Sequence, residues 1–223
     1  MNIRPVAVFH SPFPSKFGIP RQSGLVEELV GTIVFEPDYR DPVALRGIEA
    51  FDFLWLIWGF SANSHDSERL TVRPPRLGGN TRMGVFATRS PFRPNRMGLS
   101  SVRLKSVEWD TPQGPVLHVL GADLMDGTPV YDVKPYIPYT DSHENARSGF
   151  VDNHEWKKLH VVVPDEVARI FTPEMLQSLI HTLEQDPRPQ YHNHPDKLYG
   201  MVFAGHDIHF RVSDDTLYVM HNT

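Results

Sequence analysis

Cysteine is absent from the 223-residue chain, and this absence excludes several kinds of site. Without thiols the chain has no disulfides, no thiolate zinc sites and no cysteine-ligated iron–sulfur clusters. Long apolar runs are also missing, because the longest, at residues 53–60, is far shorter than the roughly 20 residues of a membrane-spanning helix. The opening residues MNIRPVAVFHSP lack the apolar core of a signal peptide. We therefore expect a cytoplasmic protein without a membrane association.

Common nucleotide-binding and nucleophile motifs are missing as well. The sequence contains neither GxGxxG nor GxxxxGK[ST], so neither a Rossmann domain nor a P-loop is expected. It also lacks the GxSxG elbow of serine hydrolases. There are 12 histidines, but a metal site needs three or more convergent ligands, and His192 and His194 form only an isolated pair. We expect no metal site.

Acidic residues are missing from one long window of the chain. No Asp or Glu occurs between Glu68 and Glu108, although the whole chain has a formal net charge of -5. The basic residues of this window are Arg69, Arg73, Arg76, Arg82, Arg89, Arg93, Arg96, Arg103 and Lys105. Such a basic island in an acidic chain predicts a phosphate-bearing partner. The alternative is a solvated strand surface, on which both signs of charge usually mix.

Short strands and frequent turns dominate the chain up to about Pro138. Apolar and β-branched runs at residues 31–36, 53–60, 83–88, 99–107 and 115–120 predict strands, and Pro- and Gly-rich stretches separate them. One long irregular loop is expected between Phe13 and Val26, and loops of this length are often functional. Asp41 and Pro42 predict the start of a short helix. This pattern favours an all-β barrel or sandwich over an alternating α/β sheet.

The composition changes after a polar stretch near residue 150. Thr172-Pro173-Glu174 predicts a helix start, and short strands are expected at residues 198–204, 207–212 and 217–220. We therefore predict a mainly β protein: an N-terminal β-barrel or β-sandwich domain (1–140), a linker (141–152) and a small C-terminal α+β domain (153–223).

Four ordered and irregular segments resemble a known family. They are PRQSGL (20–25), RPPRLGGN (73–80), RMGVFATRSPFRPNRMGLS (82–100) and DLMDGTPVYDVKPY (123–136). By these segments the chain resembles the TsaA-like (YaeB/TrmO) family of tRNA methyltransferases. QDPRPQY, residues 185–191, and the final strands resemble the small C-terminal domain found in part of that family. The resemblance thus covers nearly the whole chain.

The resemblance implies a fold, a cofactor and a reaction. Members of the family have a β-barrel in place of a Rossmann domain, bind S-adenosylmethionine (SAM) at a homodimer interface, and act on tRNA. They methylate N6 of threonylcarbamoyladenosine at position 37, in the anticodon loop. Where many members read RPNPIG, this chain reads RPNRMG, and the additional Arg96 strengthens the basic window.

The matching motifs carry over a set of candidate site residues. The residues implied to bind SAM are Arg21, Gln22, Ser23, Gly24, Ser61, Ala62, Arg89, Leu99, Asp123, Leu124 and Asp126. Arg89 or Arg21 suits the carboxylate of SAM, and an aspartate suits its ammonium or ribose. From the residues alone, Asp123 and Asp126 fit either such a ligand or ordinary turn chemistry. Asp126 is also our candidate for the base that removes the proton from the methylated nitrogen.

A tRNA substrate requires contacts to phosphates and to an unstacked base. The candidates for phosphate contacts are Arg73, Arg76, Arg93 and Arg96, and the candidate stacking platform is Phe92, which is equally compatible with a core position. Two other functions stay open: a barrel that binds RNA without catalysis, and a SAM-dependent methyltransferase of a small molecule. The PRQSGL and DLMDGTP segments favour an enzyme over a pure RNA binder, which has no need of an acidic loop.

Overall fold

The computed structural model of the chain describes residues 2–63, 70–74, 77, 81–152, 157–188 and 197–220. The strands in these residues are β1 (Ala7–His10), β2 (Val30–Phe35), β3 (Phe53–Gly59), β4 (Thr71–Val72), β5 (Met83–Gly84), β6 (Met97–Glu108), β7 (Val116–Leu120), β8 (Thr128–Pro135), β9 (His160–Val162), β10 (Tyr199–Phe203), β11 (His206–Ser213) and β12 (Thr216–Met220). The α-helices are α1 (Pro138–Asp141), α2 (Asp165–Ala168) and α3 (Pro173–Glu184). Of these helices, none has the length and apolar character needed to cross a bilayer.

Six of the strands close into a barrel. Their order is β1-β2-β7-β6-β3-β8, and β8 returns to pair with β1. All neighbouring strands of the barrel run antiparallel. Closure gives each of these strands a partner on both sides, so the barrel has no exposed edge. The expectation of an N-terminal β-barrel that is not a Rossmann domain is confirmed.

Alternation along β3 separates the barrel interior from its outer surface. Leu54 and Leu56 are fully buried and Trp58 is nearly so, whereas Phe53 is half-exposed. The inward residues lie opposite inward residues of β6, and Leu56 pairs with Ser100. The polar side chain of Ser100 is therefore placed inside the barrel, where a hydrogen-bond partner is required.

The C-terminal part forms a second sheet covered by α3. Its strand order is β10-β11-β12-β9, and β9 runs parallel to β12. Helix α3 begins at the predicted place, because the Thr172 side chain accepts a hydrogen bond from the backbone N–H of Met175 and Pro173 occupies the first turn. The apolar face of α3 buries Leu179 and Leu183 in the core of this sheet. The expected small α+β part is confirmed.

The first loop (residues 11–29) connects the two hydrophobic cores. One core fills the barrel and the other lies beneath the second sheet. Phe13, Val26 and Leu29 belong to the second core, although they precede β2 in the chain. The Phe13 ring meets the Phe203 ring edge-on, with centroids 5.4 Å apart. The long loop expected here therefore packs on the C-terminal part.

Local structure differs from expectation in two places. After Asp41 the chain forms two short 3₁₀ turns, Pro42–Leu45 and Ile48–Ala50, where a single short helix was expected. Asp41 still caps the first turn, because its carboxylate accepts a hydrogen bond from the backbone N–H of Val43 at 2.9 Å. The strand expected over residues 83–88 ends at Gly84, since a 3₁₀ turn follows it.

The limits of the domains, 1–140 and 153–223 with a linker over 141–152, stay a prediction. In the structure the last barrel strand ends at Pro135, and α1 and a 3₁₀ turn at Gly149–Val151 precede β9. Since the first loop contributes side chains to the second core, residues from both parts of the chain pack together there.

Candidate functional site

A cavity of about 430 Å³ lies at the rim of the barrel where β3 ends and where β6 and β8 begin. Four stretches of chain contribute its walls: 16–22 of the first loop, 55–63, 88–99 and 123–128. Pockets for small molecules and cofactors usually enclose about 300–1,000 Å³. Each of these stretches overlaps or adjoins a motif that the sequence singled out, so the folded chain brings distant motifs to one place.

A short chain of hydrogen bonds links the barrel interior to the cavity. The Trp58 indole N–H donates to Ser100 Oγ at 3.0 Å, and the Ser100 hydroxyl donates to Asp123 Oδ1 at 2.5 Å. Gly98 allows this arrangement, because a Cβ at that position would lie 2.3 Å from the Trp58 ring. The Ser100 hydroxyl therefore accepts one hydrogen bond and donates another, and its bond to Asp123 fixes the orientation of that carboxylate from within the barrel.

Burial raises the pKa of the Asp123 carboxyl above its ordinary value. The hydrogen bond from Ser100 and the positive charge of Arg89 oppose this shift, but burial is the larger effect. A cationic or hydrogen-bond-donating ligand beside this carboxylate would replace the water it has lost. The raised pKa together with its place in the cavity wall makes Asp123 a candidate functional residue.

Arg89 faces Asp123 from another wall and is held by the first loop. Its Nη1–H donates to Gln22 Oε1 at 2.5 Å, and Gln22 Nε2 donates to the backbone carbonyl of Arg21 at 2.5 Å. Arg89 is exposed, so the guanidinium is available to a ligand as well as to Gln22. A guanidinium of this kind suits a carboxylate or a phosphate, which it can bind through two parallel hydrogen bonds.

Asn63 joins the loops at the mouth of the cavity. It is nearly fully buried, and its side-chain oxygen accepts a hydrogen bond from Lys16 Nζ at 2.6 Å. Its backbone carbonyl accepts one from Arg96 Nη1 at 2.9 Å. Arg93 Nη1 donates to the backbone carbonyl of Thr88 at 3.1 Å. Basic side chains therefore both shape the mouth of the cavity and give it a positive charge.

The cavity brings together most of the residues expected to bind the cofactor. Those in its lining are Arg21, Gln22, Ser61, Ala62, Arg89, Leu99 and Asp123.

The other candidates, Ser23, Gly24, Leu124 and Asp126, are not part of the lining. A backbone hydrogen bond from Ser23 contributes to holding down the pKa of Asp123, and the N–H of Gly24 donates to the carbonyl of Gly121 at 2.8 Å. The Leu124 side chain is buried in the barrel core. The Asp126 carboxylate is exposed and hydrogen-bonds with His10 Nδ1 at 3.0 Å. No observation tests the role of any of these residues, and their assignments stay predictions.

The candidates for RNA contacts lie near the cavity but not all within it. Arg93 contributes to the lining, and Arg96 is anchored at the mouth through Asn63. Arg73 and Phe92 are exposed, with 47% of Phe92 accessible. Arg76 lies outside the described residues.

Several lining residues were not singled out by the sequence. Lys16 belongs to the irregular first loop, Asn63 follows the transferred Ser61-Ala62 pair, and Trp58 was assigned only to a buried strand. The position of Trp58 next to the end of an apolar strand was the one available signal, since strand ends often carry functional side chains. The sequence carries no comparable signal for Lys16 and Asn63, because they line the cavity only where separate loops meet in space.

The cavity offers a cation, an anion and aromatic and thioether surfaces within one space. Arg89 and Asp123 supply the charges, while Trp58, Met97 and Met125 supply polarisable apolar surface. This combination suits an amino-acid zwitterion attached to a flat heterocycle. Among the residues that the structure describes, no group of three or more metal-ligating side chains converges.

Comparisons with known proteins agree with the resemblance noted in the sequence. The family model described as the tRNA-methyltransferase O N-terminal domain matches residues 8–142, and that described as the TrmO C-terminal domain matches residues 160–222. The tRNA (adenine(37)-N6)-methyltransferase of Escherichia coli is 39% identical over 217 residues, which cover 94% of this chain and 92% of that protein. A probable S-adenosyl-L-methionine-binding protein of Pyrococcus abyssi is 36% identical over 154 residues, which cover 69% of this chain and 78% of that protein.

A solved structure supports the same relationship at the level of the fold. The crystal structure of TrmO from Pseudomonas aeruginosa matches with a TM-score of 0.78 and 31% identity, over 98% of this chain and 96% of that one. Barrel, second sheet and sequence motifs therefore agree over nearly the full length, and the chain belongs to the tRNA-methyltransferase O family.

Proposed function

We propose that this chain binds SAM in the cavity and transfers its methyl group to N6 of the adenosine at position 37 of tRNA. The E. coli relative carries this activity in its name, and the P. abyssi relative is described as binding SAM. The observation that carries the proposal is the convergence of Arg89, Asp123 and Trp58 in one cavity. The chain is accordingly an S-adenosylmethionine-dependent tRNA (adenine-N6)-methyltransferase.

The residues of the cavity fit the chemical groups of SAM. SAM carries a carboxylate, an ammonium, a sulfonium, a ribose and an adenine. Arg89 and Arg21 would hold the carboxylate, and Asp123 would take the ammonium or the ribose hydroxyls. Met97 and Leu99 would provide apolar surface for the flat base. The raised pKa of Asp123 supports this fit, because the buried carboxylate gains most from a cationic or donating partner.

When bound, SAM supplies a methyl group on a sulfonium sulfur, which leaves as a neutral thioether once adenine N6 has taken the methyl group. Since this donor is already activated, the residues of the chain act mainly by holding and orienting the reactants. The N6 proton must then be accepted. Asp126 stays our sequence-based prediction for this role.

The finer identity of the substrate is part of the proposal. We propose that the adenosine is already threonylcarbamoylated and lies next to the anticodon, as predicted from the resemblance. Bases in such single-stranded loops are splayed out and stacked on aromatic side chains, while arginines hold the phosphates. Phe92 is exposed and suited to stacking, and Arg73, Arg93 and Arg96 are suited to phosphates.

We also propose a cytoplasmic homodimer with the cofactor near the subunit interface. Leu99 is 57% exposed although it lines the cavity, and an apolar side chain at that place suits a covering second subunit. Light scattering on the purified chain measures the mass of the assembly directly.

A methyl-transfer assay with labelled SAM and total tRNA, followed by nucleoside analysis, tests the function. We expect the label in N6-methylated threonylcarbamoyladenosine. Thermal stabilisation by SAM without any transfer to tRNA would favour the methyltransferase of a small molecule. Binding of tRNA without any stabilisation by SAM would favour a non-catalytic RNA-binding barrel.

Replacing Arg89 by Ala should weaken SAM binding by about 10–100-fold, because a charge-assisted hydrogen bond contributes about 1.5–3 kcal/mol. The fold should be retained, since Arg89 is exposed. Isothermal titration with SAM measures the change, and Arg211→Ala, at an exposed position of the second sheet, is the control. An unchanged affinity for SAM would remove Arg89 from the site.

Replacing Asp123 by Asn should increase stability and decrease SAM affinity. Because the pKa of Asp123 is higher in the folded chain than in the unfolded one, the ionised carboxylate opposes folding above this raised pKa. This unfavourable contribution shrinks as the pH falls below the raised pKa, and it is absent below the ordinary pKa of an aspartate. We therefore expect the variant to melt at a higher temperature than the wild type at neutral pH without SAM, and this gain to vanish in acid.

Thermal unfolding over a series of pH values checks this expectation, with Asp110→Asn as the control at an exposed carboxylate. The affinity for SAM should fall about tenfold at neutral pH, as expected for the loss of a charged partner. A variant that is less stable than the wild type and binds SAM normally would contradict both parts.

Replacing Arg73 by Ala should weaken tRNA binding and leave SAM binding unchanged. Arg73 is exposed and lies outside the cavity lining. The loss of one phosphate contact should reduce the slope of log affinity against log salt by about 1. Filter binding over a range of salt concentrations measures the slope. Arg46→Ala, at an exposed arginine outside the basic window, is the control and should leave the slope unchanged. An identical slope for both variants would exclude Arg73 from the RNA contacts.

A further inference from the structure

The first loop is held by the C-terminal part on both sides of Arg21. Before it, Gly18 has a φ of +95° and passes so close to β10 that a Cβ would lie 2.5 Å from the Met201 side chain. After it, the Glu28 carboxylate contacts Nδ1 of His181 in α3. The position of a loop that lines the cavity therefore depends on a sheet and a helix far away in the sequence.

Asp186 and Arg188 form a bidentate ion pair directly after α3. Arg188 Nε donates to Asp186 Oδ1 and Arg188 Nη2 to Asp186 Oδ2, both at 2.8 Å. The backbone N–H of Arg188 also donates to Oδ1 at 3.3 Å. The two side chains are largely shielded from solvent, with 14% of Arg188 and 23% of Asp186 exposed. Both carboxylate oxygens are thus committed to a contact two residues away.

The ion pair supports a left-handed turn at the end of α3. Asp186 has a φ of +49°, a conformation that aspartate adopts more readily than most non-glycine residues. Its backbone N–H donates to the carbonyl of Leu183 at 3.1 Å. The two bonds between the Asp186 carboxylate and Arg188 add to this backbone contact, and together they set the direction in which the backbone carbonyl of Asp186 points.

That carbonyl contacts the wall of the cavity. It accepts a hydrogen bond from Arg21 Nη2 at 3.2 Å. The backbone carbonyl of Arg21 in turn accepts from Gln22 Nε2, and Gln22 Oε1 accepts from Arg89. Arg21, Gln22 and Arg89 all line the cavity, whereas neither Asp186 nor Arg188 does so. A continuous set of hydrogen bonds thus runs from the C-terminal part to the residues proposed to hold the cofactor.

We propose that the Asp186–Arg188 pair is a positioning element for cofactor binding, which holds Arg21 at the cavity wall through the backbone carbonyl of Asp186. This role rests on the proposed SAM site. It gives the C-terminal part a function in cofactor affinity. When the pair is removed, the turn relaxes and the carbonyl of Asp186 moves away from Arg21, which loses this contact at the cavity wall.

Replacement of Arg188 by Met keeps the length of the side chain and removes the ion pair. We expect the Kd for SAM to rise about tenfold, the effect of losing an oriented charged contact. The tryptophan fluorescence of Trp55 and Trp58, which line the cavity, reports SAM binding without tRNA and without turnover. The KM for SAM should rise similarly, while the KM for tRNA stays unchanged.

Arg188→Lys should recover part of the affinity, because an ammonium can bond one carboxylate oxygen but cannot bind both in parallel. Lys158→Met is the matched control, since it removes an ion pair at the same end of α3, with Glu184 at 3.5 Å, from a side chain that is 61% exposed. Exposed pairs of this kind contribute little, and SAM affinity should stay unchanged.

A double-mutant cycle tests whether Arg188 acts through Arg21. If it does, Arg188→Met should weaken SAM binding in the wild type but have little further effect in an Arg21→Met background. Losses that add in full would overturn the proposal. So would a folded Arg188→Met variant whose Kd for SAM stays within about twofold of the wild-type value.

Asp186→Asn keeps the experiment decisive if Arg188→Met fails to fold. Asn tolerates the left-handed conformation and retains the volume of the side chain, but it loses the charge. Its SAM affinity should fall as well, and wild-type affinity would overturn the proposal. A wild-type chain that binds no SAM would overturn the cofactor site and this role together. A wild-type chain that binds SAM but methylates no tRNA would overturn the substrate only, and the titrations would still decide the role of Arg188.

Discussion

Closure of the six-stranded barrel is the constraint on which the rest of the structure depends. Strand β8 pairs with both β1 and β3, so the first and last strands of the barrel are joined. As a result the end of β3 and the beginnings of β6 and β8 come together at one rim, and the loops that leave this rim build the cavity. In open α/β sheets a ligand binds where the strand order reverses. Here the rim of a closed antiparallel barrel provides the concave surface, and no phosphate-binding glycine motif is needed.

A polar side chain in the barrel interior, that of Ser100, connects the core to the cavity. Ser100 occupies an inward position opposite Leu56, where an apolar residue would pack without any hydrogen-bond requirement. Its hydroxyl lies between the Trp58 indole and the Asp123 carboxylate and satisfies both. A buried polar group that is fully satisfied rigidifies its surroundings, whereas an unsatisfied one destabilises the fold. Burying the Asp123 carboxylate therefore lowers the stability of the fold locally, but it gives the carboxylate a fixed orientation. Such a conflict between stability and function is typical of functional sites.

The sequence predicted the architecture well and part of the cavity lining. Apolar alternation and turn residues indicated an all-β barrel or sandwich, the family resemblance decided for the barrel, and the Thr172 cap was sufficient for α3. Strand β8 was missed because its Pro, Asp and Lys residues disguise a strand, and β9 because three residues that pair in parallel carry no periodic signal. Arg89 and Asp123, which both line the cavity, could be selected in advance because they lie in linear motifs that the chain shares with the family. Trp58 and Asn63 were missed, because their contribution arises only when strand ends and loops meet in space.

The sharing of the first loop between two cores determines the order in which the molecule is completed during synthesis. All six barrel strands have been made once residue 135 has left the ribosome, whereas the core partners of Phe13 extend to β12, more than 80 residues later. Arg21 and its partner Asp186 are 165 positions apart. Domains generally fold from the N-terminus as they emerge, and contacts between distant residues form late. The barrel can therefore assemble on the nascent chain, while the cavity acquires its final wall only after the C-terminal part has been made. Chains that stop before Asp186 would carry the strands of the barrel without the contact that holds Arg21 at the cavity wall.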